Sequence, residues 1–199
     1  MKKAVLACIA CTWSVASFQA SHAQDAPSRA GAASIETIIT EVARTTGKEF
    51  IVDPRVRAEV WVIRKDASAL SYADLLAILQ VHGFTAVEGD RFTRIVPDAS
   101  VRQLALPVAT TKQKFDDFQH ITKVIPVRST PAAHLVPLLR PLLPQQAHLA
   151  ASICTNDLMI VDTAANVSRI EALVATLDKG EPYKPTECLA PMAAAEPRQ

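Results

Sequence analysis

An α+β chain of two small domains in series is predicted by three observations. Runs with helical spacing alternate with short runs of β-branched and aromatic residues, the apolar pattern lapses between residues 98 and 119, and a length of 199 residues suits two modest cores. The charge balance adds an exclusion. With 21 Lys and Arg against 20 Asp and Glu, and no long run of one sign, the chain offers no electrostatic footprint for a nucleic-acid backbone or an anionic membrane. Five glycines are few for the tight turns of an all-β barrel.

The first segment reads as a targeting signal rather than as fold. Lys2 and Lys3 precede an apolar run from Ala4 to about Phe18, and Ser21-His22-Ala23 has the pattern a signal peptidase reads, which assigns residues 1–23 to a secretory signal. The apolar run is shorter than the ~20 residues a membrane span needs. Too little hydrophobic sequence stands ahead of Cys8 for a lipid-attachment site. Without residues 1–23 the net charge is −1, and the cysteines that remain are Cys154 and Cys188. In an oxidising compartment this pair is either a staple tying the tail to the body or two unpaired thiols, with Cys154 a small buried hydrophobe in a strand.

The first domain is expected over residues 34–97, in the order α-β-β-α-β-β. Ile35, Ile38, Ile39 and Val42 share one helical face behind Ser34 as N-cap, and Gly47 terminates it. Lys48 to Asp53 reads as a strand stopped by Pro54, and Glu59 to Ile63 as a second. Ser71 and Asp74 have capping-box form ahead of Leu75, Leu76, Ile78 and Leu79, with Gly83 closing the helix. Phe84–Val87 and Phe92–Val96 then flank a hairpin turn whose Gly89 suits a positive φ.

Residues 98–119 read as a linker and residues 120–179 as a second domain, β-α-β-β-α. Ile121 to Arg128 alternates enough for a strand, which Pro126 demotes to an edge or a bulge. Ser129-Thr130-Pro131 opens a helix that Pro137 and Pro141 must shorten. His148–Cys154 and Leu158–Val161 form a hairpin, and Val167, Ile170, Val174 and Leu177 form one face of the last helix. Residues 180–199, with four prolines and no apolar period, read as a disordered tail.

Residues that could carry chemistry are few. After the signal there is no Gly-rich phosphate loop, nucleophile elbow, H-E-x-x-H or C-x-x-C, so no enzyme, cofactor or small-molecule substrate is expected. His120, His134 and His148 lack the local spacing of metal ligands, and Asp116-Asp117 beside His120 reads as a solvated cluster in a linker. The order of the second domain is KH-like, but no G-x-x-G loop follows its first helix, which argues against RNA.

Two stretches resemble a known family. Phe50-Ile51-Val52-Asp53-Pro54-Arg55-Val56-Arg57, Val60-Trp61-Val62-Ile63, Val81-His82-Gly83-Phe84 and Ile95-Val96-Pro97-Asp98-Ala99 resemble the first periplasmic domain of the type II secretion outer-membrane secretin. Thr122 to Val127, Leu135 to Leu142, His148 to Ala151 and Asn156 to Asp162 resemble its second, KH-like ring domain. The resemblance implies a protein of the periplasm associated with the outer-membrane secretin complex. Its partners would be the inner-membrane clamp component, docked by the first domain, and secretin ring domains or its own copies, met by the second; secreted proteins are a further expected class. The channel region of that family does not follow the second domain, so the expected function is an interaction and assembly module of type II secretion without the pore.

Two alternatives stand beside this reading. The first domain type also resembles the signalling domain of TonB-dependent receptors, and the chain could be a truncated secretin remnant. The family places a strand ahead of the first helix, whereas Pro27 to Ala33 is poor in β-formers, so the first sheet is expected to lack one strand. Val60, Trp61, Val62 and Arg64 are the candidate partner-binding residues. For Trp61 a core position, or an aromatic covering the sheet, is weighed above an interface anchor, because this core has few large residues.

Overall fold

The computed structural model describes residues 31–63, 69–110 and 113–184. The signal segment, Arg64 and Cys188 lie outside them.

The first module begins with a strand that the sequence did not announce. β1 (Ala33–Ser34) runs directly into α1 (Ile35–Thr46) and pairs antiparallel with β3 (Glu59–Val60), in the register Ala33↔Val60 and Ser34↔Glu59. The expectation of a missing strand is thus corrected. Two ladder positions need only backbone groups, which any residue supplies, and Ser34 serves both ladder and helix because its hydroxyl accepts from the Thr37 N–H at 3.2 Å. The predicted strand Glu59–Ile63 shrinks to Glu59–Val60, because its partner β1 is only two residues long.

β2 (Phe50–Val52), α2 (Tyr72–Val81), β4 (Phe84–Glu88) and β5 (Thr93–Pro97) complete this module. The sheet order is β2-β5-β4, with β2 parallel to β5 and β4 antiparallel to it. Ser71 and Asp74 form the capping box at the start of α2, and Gly47 ends α1 at φ 69°. Gly89 differs from expectation. Its φ is outside the left-handed region, and what glycine supplies there is room: a Cβ would stand 3.1 Å from the Phe92 carbonyl oxygen, a tight contact. Ile35, Ile38, Val42, Leu75, Leu79 and Ile95 are sealed in the core between helices and sheet.

The stretch read as a linker is mostly exposed but makes a few ordered contacts. Asp98–Gln103 forms a 3-10 turn that buries Val101, and Val108 bridges to Thr122 in parallel, with Ala109 N–H donating to the Thr122 carbonyl at 2.7 Å. Apolar periodicity cannot reveal such a segment, since one buried valine and one bridge set no period.

The second module comprises β6 (His120–Pro126), α3 (Ala132–Leu139), β7 (His148–Ser152), β8 (Asp157–Thr163) and α4 (Ala164–Leu177). Its sheet order is β6-β8-β7, all antiparallel, and Pro126 closes an edge strand where its missing N–H costs no ladder bond. Pro137 lies inside α3, which gives way to a 3-10 turn at Arg140–Leu142. Leu135, Leu139, Leu158, Ile160, Val167 and Ile170 form a core separate from that of the first module.

Two expectations for the C-terminal half are revised. Cys154 is beyond the end of β7, on an exposed hairpin turn, and it is disulfide-bonded rather than a buried free thiol. Residues 180–184, counted with a disordered tail, are held at their start: Tyr183 N–H donates to the Arg128 carbonyl at 2.8 Å, and the Gly180 carbonyl accepts from Ser129 Oγ at 3.0 Å.

Candidate partner-docking site

The entry to the site is set by a turn. Asp53 Oδ1 accepts from the backbone N–H of Arg55 at 2.9 Å, and both carboxylate oxygens accept from its guanidinium. That pairing holds the Asp53 carboxyl down to about 2. The turn delivers Val56 to the core and aims the chain into β3.

Beyond β3 the chain leaves its ladder, and its side chains separate by face. Val60 is buried and Val62 packs partly against the core, whereas Trp61 is 52% exposed and Ile63 69% exposed. Of the predicted partner-binding residues, Val60 and Val62 therefore support the site from within, and Trp61 alone presents itself outward; Arg64 is not among the described residues. Trp61 is therefore not enclosed in the core. The pairing of β3 with β1 turns the Val60 side inward, which leaves the larger Trp61 side chain on the other face.

The opposite wall comes from α2, and sequence reasoning missed it. Ala77, Ile78, Val81 and His82 face Trp61, Val62 and Ile63 across a groove of about 540 Å³, and Val81 is 81% exposed. The signal was present: α2 is apolar nearly all the way round, and only one of its faces, bearing Leu75, Leu76 and Leu79, is needed by the core. A helix apolar on two faces has a second use for the outer one. The groove is open and almost free of ionisable groups, with Glu59 and His82 at its margins. It is suited to receiving an apolar segment of a partner and has no nucleophile, acid–base pair or phosphate cradle.

His120 lies elsewhere, at the joint between the modules. It is 4% exposed, and its Nδ1 is hydrogen-bonded to Thr85 Oγ1 of β4 at 2.8 Å. Gln119 donates to Glu88 at 3.2 Å and Gln146 to Asp98 at 2.8 Å, so three polar contacts join the two halves. Burial pushes the imidazole below its ordinary value, against the pull of Asp98. Asp117, read with Asp116 as a solvated cluster, accepts the backbone N–H of Ala165 through its carbonyl. His134 and His148 fall on α3 and β7. Among the described residues no group of three His, Cys, Asp or Glu side chains could hold a metal ion, and no helix is long and apolar enough to cross a membrane.

Two family profiles match the chain in order. Residues 31–95 match the GspD-like N0 domain, and residues 122–182 match the short domain of bacterial type II/III secretion systems. The chain is 39% identical to the secretin XcpQ of Pseudomonas aeruginosa over 150 residues, which is 74% of this chain and 22% of that protein. It is 29% identical to the secretin GspD of Vibrio cholerae over 152 residues, again spanning 22% of the relative. It thus covers about a fifth of the length of the relatives it matches. Among solved structures it resembles the Klebsiella pneumoniae type II secretion outer membrane complex of PulD, PulS and the PulC HR domain, at a TM-score of 0.63 and 25% identity, over 74% of this chain and 26% of that one.

Proposed function

Both folded modules of this chain belong to the secretins of type II secretion, and on that premise we propose that it acts as a noncovalent assembly module in the periplasm. Its first module docks the inner-membrane clamp component of the secretion machine, and its second meets secretin ring domains or its own copies. The observation that carries the reading is the convergence of Trp61, Ile63 and Val81, three exposed apolar side chains from two elements, on one groove. A patch of this kind on a small domain marks an interaction surface. The likeness to an outer membrane complex whose components include the PulC HR domain supports a partner of that class.

Recognition would proceed by burial. Trp61 supplies a large, rigid contact surface on a strand exit fixed by the Val60 and Val62 side chains behind it, and α2 supplies the facing wall. Calorimetric titration of residues 24–199 with the periplasmic domain of the clamp component tests it. Trp61→Ala is expected to weaken binding by roughly thirtyfold, the effect of losing an anchor of about 2 kcal/mol, with the far-UV spectrum unchanged. Unchanged affinity in the variant would remove the groove from the docking surface.

A further inference from the structure

We propose that the open edge of β7 is a pairing site for the β7 of a second copy of this chain, the two strands running antiparallel about a two-fold axis at Ala150. The proposal rests on the reading that the second module meets its own copies, and it names the surface and the symmetry. It is independent of the Trp61 groove.

Three features converge on that edge. The first is the edge itself. β7 ends the order β6-β8-β7, so among the described residues its far side has no ladder partner. The other end strand is protected: β6 carries Lys123 and Pro126, and Val108 bridges to Thr122 along its side. β7 reads His148-Leu149-Ala150-Ala151-Ser152 in unbroken register with β8, without a lysine, an acidic residue, a proline or a bulge to turn a neighbour away.

The second feature is on the sheet face away from the helices. Leu158 and Ile160 point into the core, so Met159 points out, and the register places Val124, Met159 and Ala150 in one row across the three strands. Val124 and Met159 are about half exposed. The third feature is on the helical face. α3 packs chiefly on β7, and α4 on β8 and β6, which makes α3 the helix beside the open edge. Its Leu135 and Leu139 are buried and Val136, on one flank, packs partly against the core. On the opposite flank Leu138 is 61% exposed, and Leu142 follows four residues on at 47%.

A second copy answers all three features at once. Antiparallel pairing about Ala150 sets Leu149 opposite the partner's Ala151 and His148 opposite the partner's Ser152, so large meets small and no like charges are opposed. Such a ladder adds about four to six main-chain hydrogen bonds. The same axis joins the two apolar rows end to end and brings the Leu138 flank of one α3 beside that of the other. A foreign strand would satisfy the edge alone. The self-match of edge, row and helix flank selects a copy of this chain.

The test is sedimentation equilibrium of the mature chain over a wide concentration range. A dimer is expected. Ala150→Lys and Ala150→Glu should each raise its dissociation constant by about fivefold or more, with the far-UV spectrum unchanged, because like charges then stand directly opposite across the axis. Mixing the two variants should restore dimerisation, since opposite charges then meet. Leu138→Gln, which leaves the sheet untouched, should weaken the dimer in the same direction. A chain that stays monomeric would overturn the pairing and the own-copy reading together. A dimer or larger assembly indifferent to these substitutions would overturn the pairing alone, because the copies would then meet through another surface.

Discussion

The two modules spend similar material in opposite ways. The first divides its strands between a two-stranded ladder and a three-stranded sheet, and the gap between the ladder's exit and α2 leaves Trp61, Ile63 and Val81 uncovered. The second gathers all its strands into one sheet and ties its loops together with the buried amide of Asn156 and the carboxylate of Asp178. The first module gathers its exposed apolar side chains on one groove; the second, which also exposes Val124, Leu138 and Ile153, is set apart by side chains that tie loop to loop.

The largest blow to this contrast would come from the second core. Leu158→Ala removes a fully buried side chain from the middle strand and is expected to cost about 3 kcal/mol in urea unfolding. Asn156→Ala should follow at about 2 kcal/mol, because it strands two carbonyls and an N–H and places a non-glycine, non-asparagine residue at positive φ. An Asn156→Gly variant that recovered most of that loss would assign the cost to backbone conformation, and the fastening role of the amide would fall.

The joint between the modules is expected to weaken with acid. Burial holds His120 below its ordinary value near 6.5, so the folded chain binds fewer protons than the unfolded one between its folded pKa and 6.5. Stability is then full above that window and declines as pH falls through 6.5. Asp162, whose burial raises its carboxyl, acts in the opposite sense at lower pH. Urea midpoints of the natural chain and of His120→Gln, measured from pH 7.5 to 5.5, should separate the two: the slope is expected to flatten in the variant, and an identical slope would acquit the histidine.

Smaller effects fall on the first module. Ser71→Ala breaks the capping box of α2 and is expected to cost about 1 kcal/mol. Trp61→Ala should change stability by less than about 1 kcal/mol, because the side chain is half in water already. A cost above about 2 kcal/mol there would mean that Trp61 supports the fold, and the groove would lose its reading as a surface reserved for a partner.

How much of this was legible in the sequence depends on the range of the determinant. The capping box at Ser71, the termination at Gly47 and the edge position of Pro126 are local chemistry and were readable in place. The family resemblance was carried by contiguous strings such as Phe50 to Arg57. β1 escaped because a two-residue ladder is specified by its partner rather than by its own side chains. The groove needed a third dimension: Trp61 and Val81 belong to different elements, and only the docking of α2 beside β3 makes them neighbours. His120 offers no local spacing to read, because its bond to Thr85 joins residues far apart in the chain.

The parallel pairing of β2 with β5 also carries a temporal consequence. Phe50, Ile51 and Val52 find their ladder partners only at Thr93, Arg94 and Ile95, with α2 and β4 lying between them in the chain. A chain that emerges from a translocation pore beginning at its N-terminus must therefore keep β2 waiting, its backbone groups served by water, until almost the whole first module is through. The second module makes β6 wait in the same way, since His120 finds its partner only at Thr163, with α3 and β7 lying between them in the chain. Each module thus holds one pair that zips as it appears, β4 with β5 and β7 with β8, and one strand that must wait for a distant partner.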